Sequence, residues 1–326
     1  MTDQQIDRIK GVFYGQAIGD ALGLGTEFMT KRRIAECYPN GLSQYAQIVQ
    51  DEHRSRWRIG DWTDDTDQFL GICDSIIGTG RVDEKAFARE LFKWFQDDPM
   101  GIGSTVLKVV TLPQFTEFPH QAAQLVWKAS GRKGASNGAI MRTSILGTWA
   151  FWDLRAVADH TERIARVTHW DDRCVGSCVV VTSVIAHLLH EGGLMDAEAL
   201  GRIADRYDQR IRPFLELAIT GTIDRLELDE PATIGYTLKA MAAGLWACFH
   251  AEGFEDGLLR VIHQGGDADT NASVAGSLLG ARFGYGAIPQ RLVDGLLHKD
   301  VLEAKCRAYL GKLGEHWRTS TAHASA

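Results

Sequence analysis

The chain has 326 residues, 45% hydrophobic and 24% charged, enough to bury the core of one large domain or two ordinary ones. A formal net charge of −7 and the lack of a long basic run exclude a non-specific nucleic-acid binder, which needs cations against phosphates. Six cysteines without a Cys-x-x-Cys pair give no disulfide framework and suit reduced thiols, so a cytoplasmic location is expected.

The first residues, Met1-Thr2-Asp3-Gln4-Gln5-Ile6-Asp7, are polar and acidic and do not read as a leader peptide. Ile6, Ile9, Phe13, Ala17 and Ala21 lie along one stripe of a first helix, closed by the glycines of Gly19-Asp20-Ala21-Leu22-Gly23. Phe69, Leu70, Cys73, Ile76 and Ile77 mark a second helix, begun by the turn Asp64-Asp65-Thr66-Asp67. Helical spacing continues over 84–95, 120–129, 137–149, 155–167, 173–190, 197–223, 234–249, 254–263, 269–283 and 301–313.

Val179-Val180-Val181 is the best strand candidate, but Val175, Val184, Ile185, Leu188 and Leu189 extend a helical pattern, which assigns it to a buried helix. That run is broken by Thr182, Ser183 and His187 and is too short and polar for a bilayer, so no membrane contact is expected. Gly276, Ser277 and Gly280 in one helix and Ala242, Ala243 and Gly244 in another predict close backbone packing. Such packing offsets the cost of about 1 kcal/mol for an isolated helical glycine. No repeat or Pro/Ser-rich linker divides the chain. The expectation is an all-α protein with a single domain over 1–318 and a frayed tail over 319–326.

Gly60-Asp61-Trp62-Thr63-Asp64-Asp65-Thr66-Asp67 places four carboxylates at a helix start. Acids there complement the macrodipole and cap free N–H groups, so a well-capped solvated turn is one reading. One cap needs only one such group, however, and adjacent carboxylates repel unless a cation neutralises them. Gly265-Gly266-Asp267-Ala268-Asp269-Thr270-Asn271 follows the same logic, its glycines permitting positive φ and its Asp-x-Asp-Thr aiming alternate side chains at one centre. An elaborate N-cap is again the alternative. Carboxylates and hydroxyls together suit Mg²⁺ or Mn²⁺ rather than zinc, and there are enough for two ions. Glu27 is a free carboxylate after the first helix. Ser136-Asn137-Gly138-Ala139 either offers N–H groups to a phosphate or is a plain turn, and His169 is either structural or a ligand contact.

In this order the motifs resemble the ADP-ribosylglycohydrolase family, which includes the dinitrogenase reductase-activating glycohydrolases. The resemblance runs from Gly11 to about Gly284. Gly15-Gln16-Ala17-Ile18-Gly19-Asp20-Ala21-Leu22-Gly23 is similar to the family's N-terminal signature. Thr63-Asp64-Asp65-Thr66 and the 265–271 turn are similar to its two metal motifs. Asn137-Gly138-Ala139-Ile140-Met141-Arg142 resembles its substrate loop, and Thr168-His169 its Ser/Thr-His.

The resemblance implies an orthogonal multi-helix bundle with two Mg²⁺ or Mn²⁺ ions held by Thr63, Asp64, Asp65, Asp267, Asp269 and Thr270. It implies Glu27 at the mouth, Ser136, Asn137, Gly138 and Ala139 around a diphosphate, and His169 against the ADP-ribose. The implied activity is hydrolysis of the glycosidic bond between ADP-ribose and an N- or O-linked acceptor, arginine among the candidates. Asp65 and Glu27 are the candidate catalytic bases. The substrate would be an ADP-ribosylated protein or a small conjugate such as O-acetyl-ADP-ribose, with nucleic acid entering only as a modified substrate. A reader that binds ADP-ribose without turnover is the alternative from another class. One departure stands out: arginine-specific relatives often carry Asp-Ile-Gly where this chain has Gly101-Ile102-Gly103, with Asp97 and Asp98 as candidate substitutes for the missing carboxylate.

Overall fold

The computed structural model describes residues 1–324, and among these the regular structure is α-helices and short 3-10 turns without a sheet. In chain order the helices are α1 (Asp3–Gly23), α2 (Lys31–Cys37), α3 (Asp64–Thr79), α4 (Glu84–Gln96), α5 (Ser104–Val110), α6 (Pro119–Ala129), α7 (Ile140–Thr143) and α8 (Leu154–Ala165). There follow α9 (Asp172–His190), α10 (Ala197–Ala204), α11 (Ile211–Thr220), α12 (Thr237–His250), α13 (Phe254–Ile262), α14 (Ala268–Phe283), α15 (Gln290–Asp294) and α16 (Lys299–Ala324). The all-α expectation holds.

α1 and α14 form the axis of the bundle, antiparallel and in backbone contact. Gly11 meets Gly280, Gly15 meets Gly276, Gly19 meets Ala272, and Gly23 meets Ala268. A Cβ on Gly15 would lie 2.0 Å from the Gly276 carbonyl oxygen, and one on Gly19 would lie 2.0 Å from that of Ala272. Four-residue spacing puts these glycines on one face of α1, so the missing side chains let the two helices touch. The glycines of 19–23 therefore face a partner helix as well as standing at the end of α1, which closes at Gly23. Around this seam the other face of α1 packs Phe13 edge-on to Phe69 at 5.2 Å and to Tyr309 at 5.3 Å. Gln16 ties three elements together: its Nε2 donates to Met141 O at 2.7 Å, and its Oε1 accepts from Ser144 and Ser277.

α9 is buried along nearly its whole length, valines included, as predicted. It has the length and the mean hydropathy (1.5) of a membrane-crossing helix, contrary to the expectation of a run too short, but 89% of that window is buried inside the fold. Burial, not length, marks it as a core helix.

Three other expectations change. No continuous helix forms over 137–149: Asn137 N donates to Gly235 O at 3.0 Å, α7 is a single turn, and a 3-10 turn (Ser144–Gly147) follows. Close contact with α9 overrides the periodicity there, since a Cβ on Gly147 would lie 2.6 Å from Thr182 O. The helix predicted over 197–223 splits into α10 and α11 because Pro213 fits a first turn but not a helix interior, where its ring meets the carbonyl four residues back. α16 continues past Thr319, where fraying was expected, to Ala324; Ser325 and Ala326 lie outside the described residues.

Candidate metal centre

The turn before α3 sorts its four carboxylates. Asp61 pairs with His298 at 3.2 Å, and Asp67 accepts from the indoles of Trp62 at 2.9 Å and Trp94 at 3.0 Å. Both are thus engaged away from the cluster. Asp64 and Asp65 remain, buried, on the cavity side. The turn is braced from α1 by Asp20, whose carboxylate accepts from Thr63 N at 3.0 Å, Thr66 N at 2.9 Å and Thr66 Oγ1 at 2.6 Å. The residue reading gave Asp20 no site role. The signal was a lone acid in an otherwise apolar helical face, a group that must find buried donors.

In the second turn Gly265 and Gly266 have φ of 69° and 67°, as their sequence predicted. Gly266 N donates to Met29 O at 2.9 Å, and Phe28 N donates to Gly266 O at 2.6 Å. This stitches the turn to the loop that carries Glu27. Glu27, Asp267 and Asp269 consequently offer carboxylate oxygens within 4.8 Å of one another. Asn137 Nδ2 holds Asp267 Oδ2 at 2.8 Å. Thr270 Oγ1 donates to Asp65 Oδ1 at 3.3 Å, joining two turns whose contacting residues lie 205 positions apart.

Among the described residues none of Asp20, Asp64, Asp65, Asp267 and Asp269 has a Lys or Arg ion pair. Burial, and after it neighbouring carboxylates, pushes Asp64, Asp65 and Asp269 well above the usual carboxylate range. Burial likewise raises Asp20 to about 7. Asp65 Oδ2 and Asp269 Oδ1 are buried without a hydrogen-bond partner. Orphaned acceptors among all-oxygen donors, with no protein cation beside them, fit hard divalent ions.

The sign of the pH dependence follows. Asp20 moves from 3.8 to about 7, so its protonated form favours the metal-free fold. That contribution is full below 3.8 and fades as pH rises through about 7. In EDTA the protein should therefore melt higher near pH 5.5 than near pH 8, and saturating Mg²⁺ or Mn²⁺ should remove the difference. Scanning calorimetry at the two pH values checks this, and a metal-free midpoint that climbs with pH would contradict it.

The two turns open on a cavity of about 180 Å³. Glu27, Asp64, Asp65, Asp267, Asp269, Thr270, Ser136, Asn137, Gly138 and His169 all line it. Thr63 and Ala139 do not: the Thr63 hydroxyl caps Asp65 N at 3.4 Å, and Ala139 is fully buried. Asn137 N–H is already engaged by Gly235, and α7 has four residues, so the 136–139 loop is not a helix N-terminus for an anion. Phe28, Ser104, Thr105 and Met141 also line the cavity without having been singled out; α5 is too short for periodicity to show. Gly101 lines it with φ 85°, and a Cβ there would lie 3.0 Å from Asp64 Oδ1. Asp97 and Asp98 are exposed and outside the lining, so neither substitutes for the carboxylate that Gly101 lacks. A larger hollow of about 640 Å³ between α1 and α16 is lined by Lys10 and by two ion-paired groups, Arg307 with Glu303 and Lys299 with Asp294.

The sequence profile of the ADP-ribosylglycohydrolase family matches residues 1–320. The ADP-ribosyl-[dinitrogen reductase] glycohydrolase of Rhodospirillum rubrum is 28% identical over 288 residues, covering 87% of this chain and 88% of its own. The ADP-ribosylarginine hydrolase Tri1 of Pseudomonas putida (strain GB-1) is 26% identical over 293 residues, covering 90% and 75%. A solved chain described as an "ADP-ribosylglycohydrolase-related protein complex" superposes with a TM-score of 0.74 at 26% identity, covering 96% of this chain and all of that one. Fold, motif order and near full-length similarity agree: the chain is an enzyme of the ADP-ribosylglycohydrolase family, whose members hydrolyse ADP-ribose linkages.

Proposed function

We propose that the enzyme removes ADP-ribose from arginine side chains of a protein, using two Mg²⁺ or Mn²⁺ ions held between the start of α3 and the start of α14. The observation that carries this is the meeting of the two acidic turns through Thr270 and Asp65, with Asp65 Oδ2 and Asp269 Oδ1 left without protein partners. Asp64, Asp65, Asp267, Asp269 and Thr270 would hold the ions, with Glu27 beside them. Bound there, such ions supply Lewis-acid charge stabilisation and a more acidic water.

The side chains do the rest. Asp65 and Glu27 are the candidate acceptors of the water's proton. Glu27 Oε2 lies 2.6 Å from His53 Nε2, and exposed Phe28 marks the open side of the cavity next to it. A carboxylate there complements a departing guanidinium, which supports arginine as the acceptor, as does the name of the Pseudomonas putida relative. Ser136, Gly138 and His169 form the facing wall, where the diphosphate would lie. Free thiols at all six cysteines support a reducing, cytoplasmic setting.

The test is release of free ADP-ribose from arginine-linked and serine-linked peptides and from O-acetyl-ADP-ribose, each with Mg²⁺, Mn²⁺ or EDTA. Arginine-linked substrate should be cleaved fastest, and EDTA should stop release. Faster cleavage of the serine or ester linkage would overturn the acceptor assignment. Undiminished release in EDTA would overturn the metal assignment, and binding without release would overturn both.

A further inference from the structure

We propose that Arg142 is a positioning residue that sets the proton pattern on both walls of the cleft, orienting Asp64 through Gln68 and fixing His169 as its Nε2–H tautomer through Thr168. The inference rests on the proposed reading of the cleft as an ADP-ribose site.

Arg142 is fully buried, with its guanidinium carbon 5.0 Å from the centroid of the Phe87 ring. Among the described residues no carboxylate pairs with it, and its Nε has no hydrogen-bond partner. A side chain kept only to fill the core would be replaced at little cost by an apolar one of similar volume. Its two terminal nitrogens reach in opposite directions.

On one side Nη1 donates to Gln68 Oε1 at 2.5 Å. With the amide oxygen so engaged, Gln68 Nε2 must face away, and it donates to Asp64 Oδ2 at 3.0 Å. Asp64 keeps Oδ1 for the cavity, the oxygen that a Cβ on Gly101 would approach to 3.0 Å.

On the other side Nη2 donates to the Thr168 hydroxyl oxygen. That hydroxyl has one proton, and among the described residues its acceptor is His169 Nδ1 at 2.8 Å. A proton on Nδ1 would strand the threonine's own proton in a fully buried site. Nδ1 therefore accepts. Burial, and after it the neighbouring Arg142, pushes the imidazole down to about 3, so the ring is neutral and its proton sits on Nε2. Nε2–H donates to Ser136 Oγ at 3.0 Å. Ser136, already accepting, turns its own proton to Thr105 Oγ1 at 3.1 Å or to a ligand oxygen. A phosphate offers only acceptors and suits that wall.

The experiment is ¹⁵N-histidine NMR of the full chain, with His169 assigned by His169→Gln, run beside calorimetric titrations of ADP-ribose and Mn²⁺. Wild type should show a pyridine-like Nδ1 and a pyrrole-like Nε2–H. Thr168→Val should move the tautomer and weaken ADP-ribose at least about tenfold with Mn²⁺ affinity retained, while Gln68→Leu should do the reverse. Arg142→Lys should disturb both. An Nδ1–H tautomer in wild type, or an unmoved tautomer in Thr168→Val, would overturn the inference. If no ADP-ribose bound at all, the functional reading would fail while the tautomer result still judged Arg142.

Discussion

An Asp269→Asn protein should lose ADP-ribose release by more than about 100-fold, the upper end of the loss when an outer partner of a metal ligand is removed. In EDTA it should nevertheless melt above wild type. The two halves of this expectation have one cause. Burial, and after it the charges of Glu27, Asp267 and Asp65, push the Asp269 carboxyl well up, and its Oδ1 is unpartnered. Without a cation each added charge there costs stability, so a neutral amide of the same shape relieves the metal-free fold. With a cation the order reverses. Each ion at 100 times its Kd stabilises wild type by about 2.7 kcal/mol, or roughly 4 °C in midpoint, and the variant should gain less. Thermal shift with and without Mn²⁺, alongside the release assay, checks both halves. A variant less stable than wild type in EDTA would mean that Asp269 is a helix cap and not a ligand.

The second large effect concerns the glycine seam. Gly15→Ala should destabilise the protein by at least about 3 kcal/mol, a large share of a total stability of about 5–15 kcal/mol. Helix propensity points the other way, favouring alanine by about 1 kcal/mol. Packing decides, because the new methyl would sit 2.0 Å from the Gly276 carbonyl oxygen and 2.6 Å from its carbon, both backbone atoms that cannot rotate aside. Gly78, in the last turns of α3, has nothing within 4 Å of its Cβ position, so Gly78→Ala should gain up to about 1 kcal/mol. Urea denaturation of the pair isolates the contact from the propensity. Equal effects at the two positions would mean that the α1–α14 seam can open without cost.

The site was partly legible in the sequence. Two Asp/Thr clusters and a Gly-Gly pair whose positive φ the second turn requires could be read from the residues alone. Local patterns do not encode which of several acids will be used. Asp61 and Asp67 are as acidic on paper as Asp64 and Asp65, and only the positions of His298, Trp62 and Trp94 take them away. Asp20 looked like part of a helix end because its three donors, from Thr63 and Thr66, come from the start of α3. Helix periodicity failed at 137–149, where the chain closes against α9, and at 205–210, ahead of Pro213. The lining contributed by α5 was invisible because seven residues hold too few turns for a pattern.

The central claim is that the turns before α3 and α14 make one cation site. Its most direct test is calorimetric titration of Mn²⁺ into metal-free wild type, Asp65→Ala and Asp269→Ala proteins, each first shown to be folded. The account predicts two ions per wild-type chain and loss of binding from either variant, since each removes a wall of the same site. Full wild-type stoichiometry and affinity in either variant would contradict it.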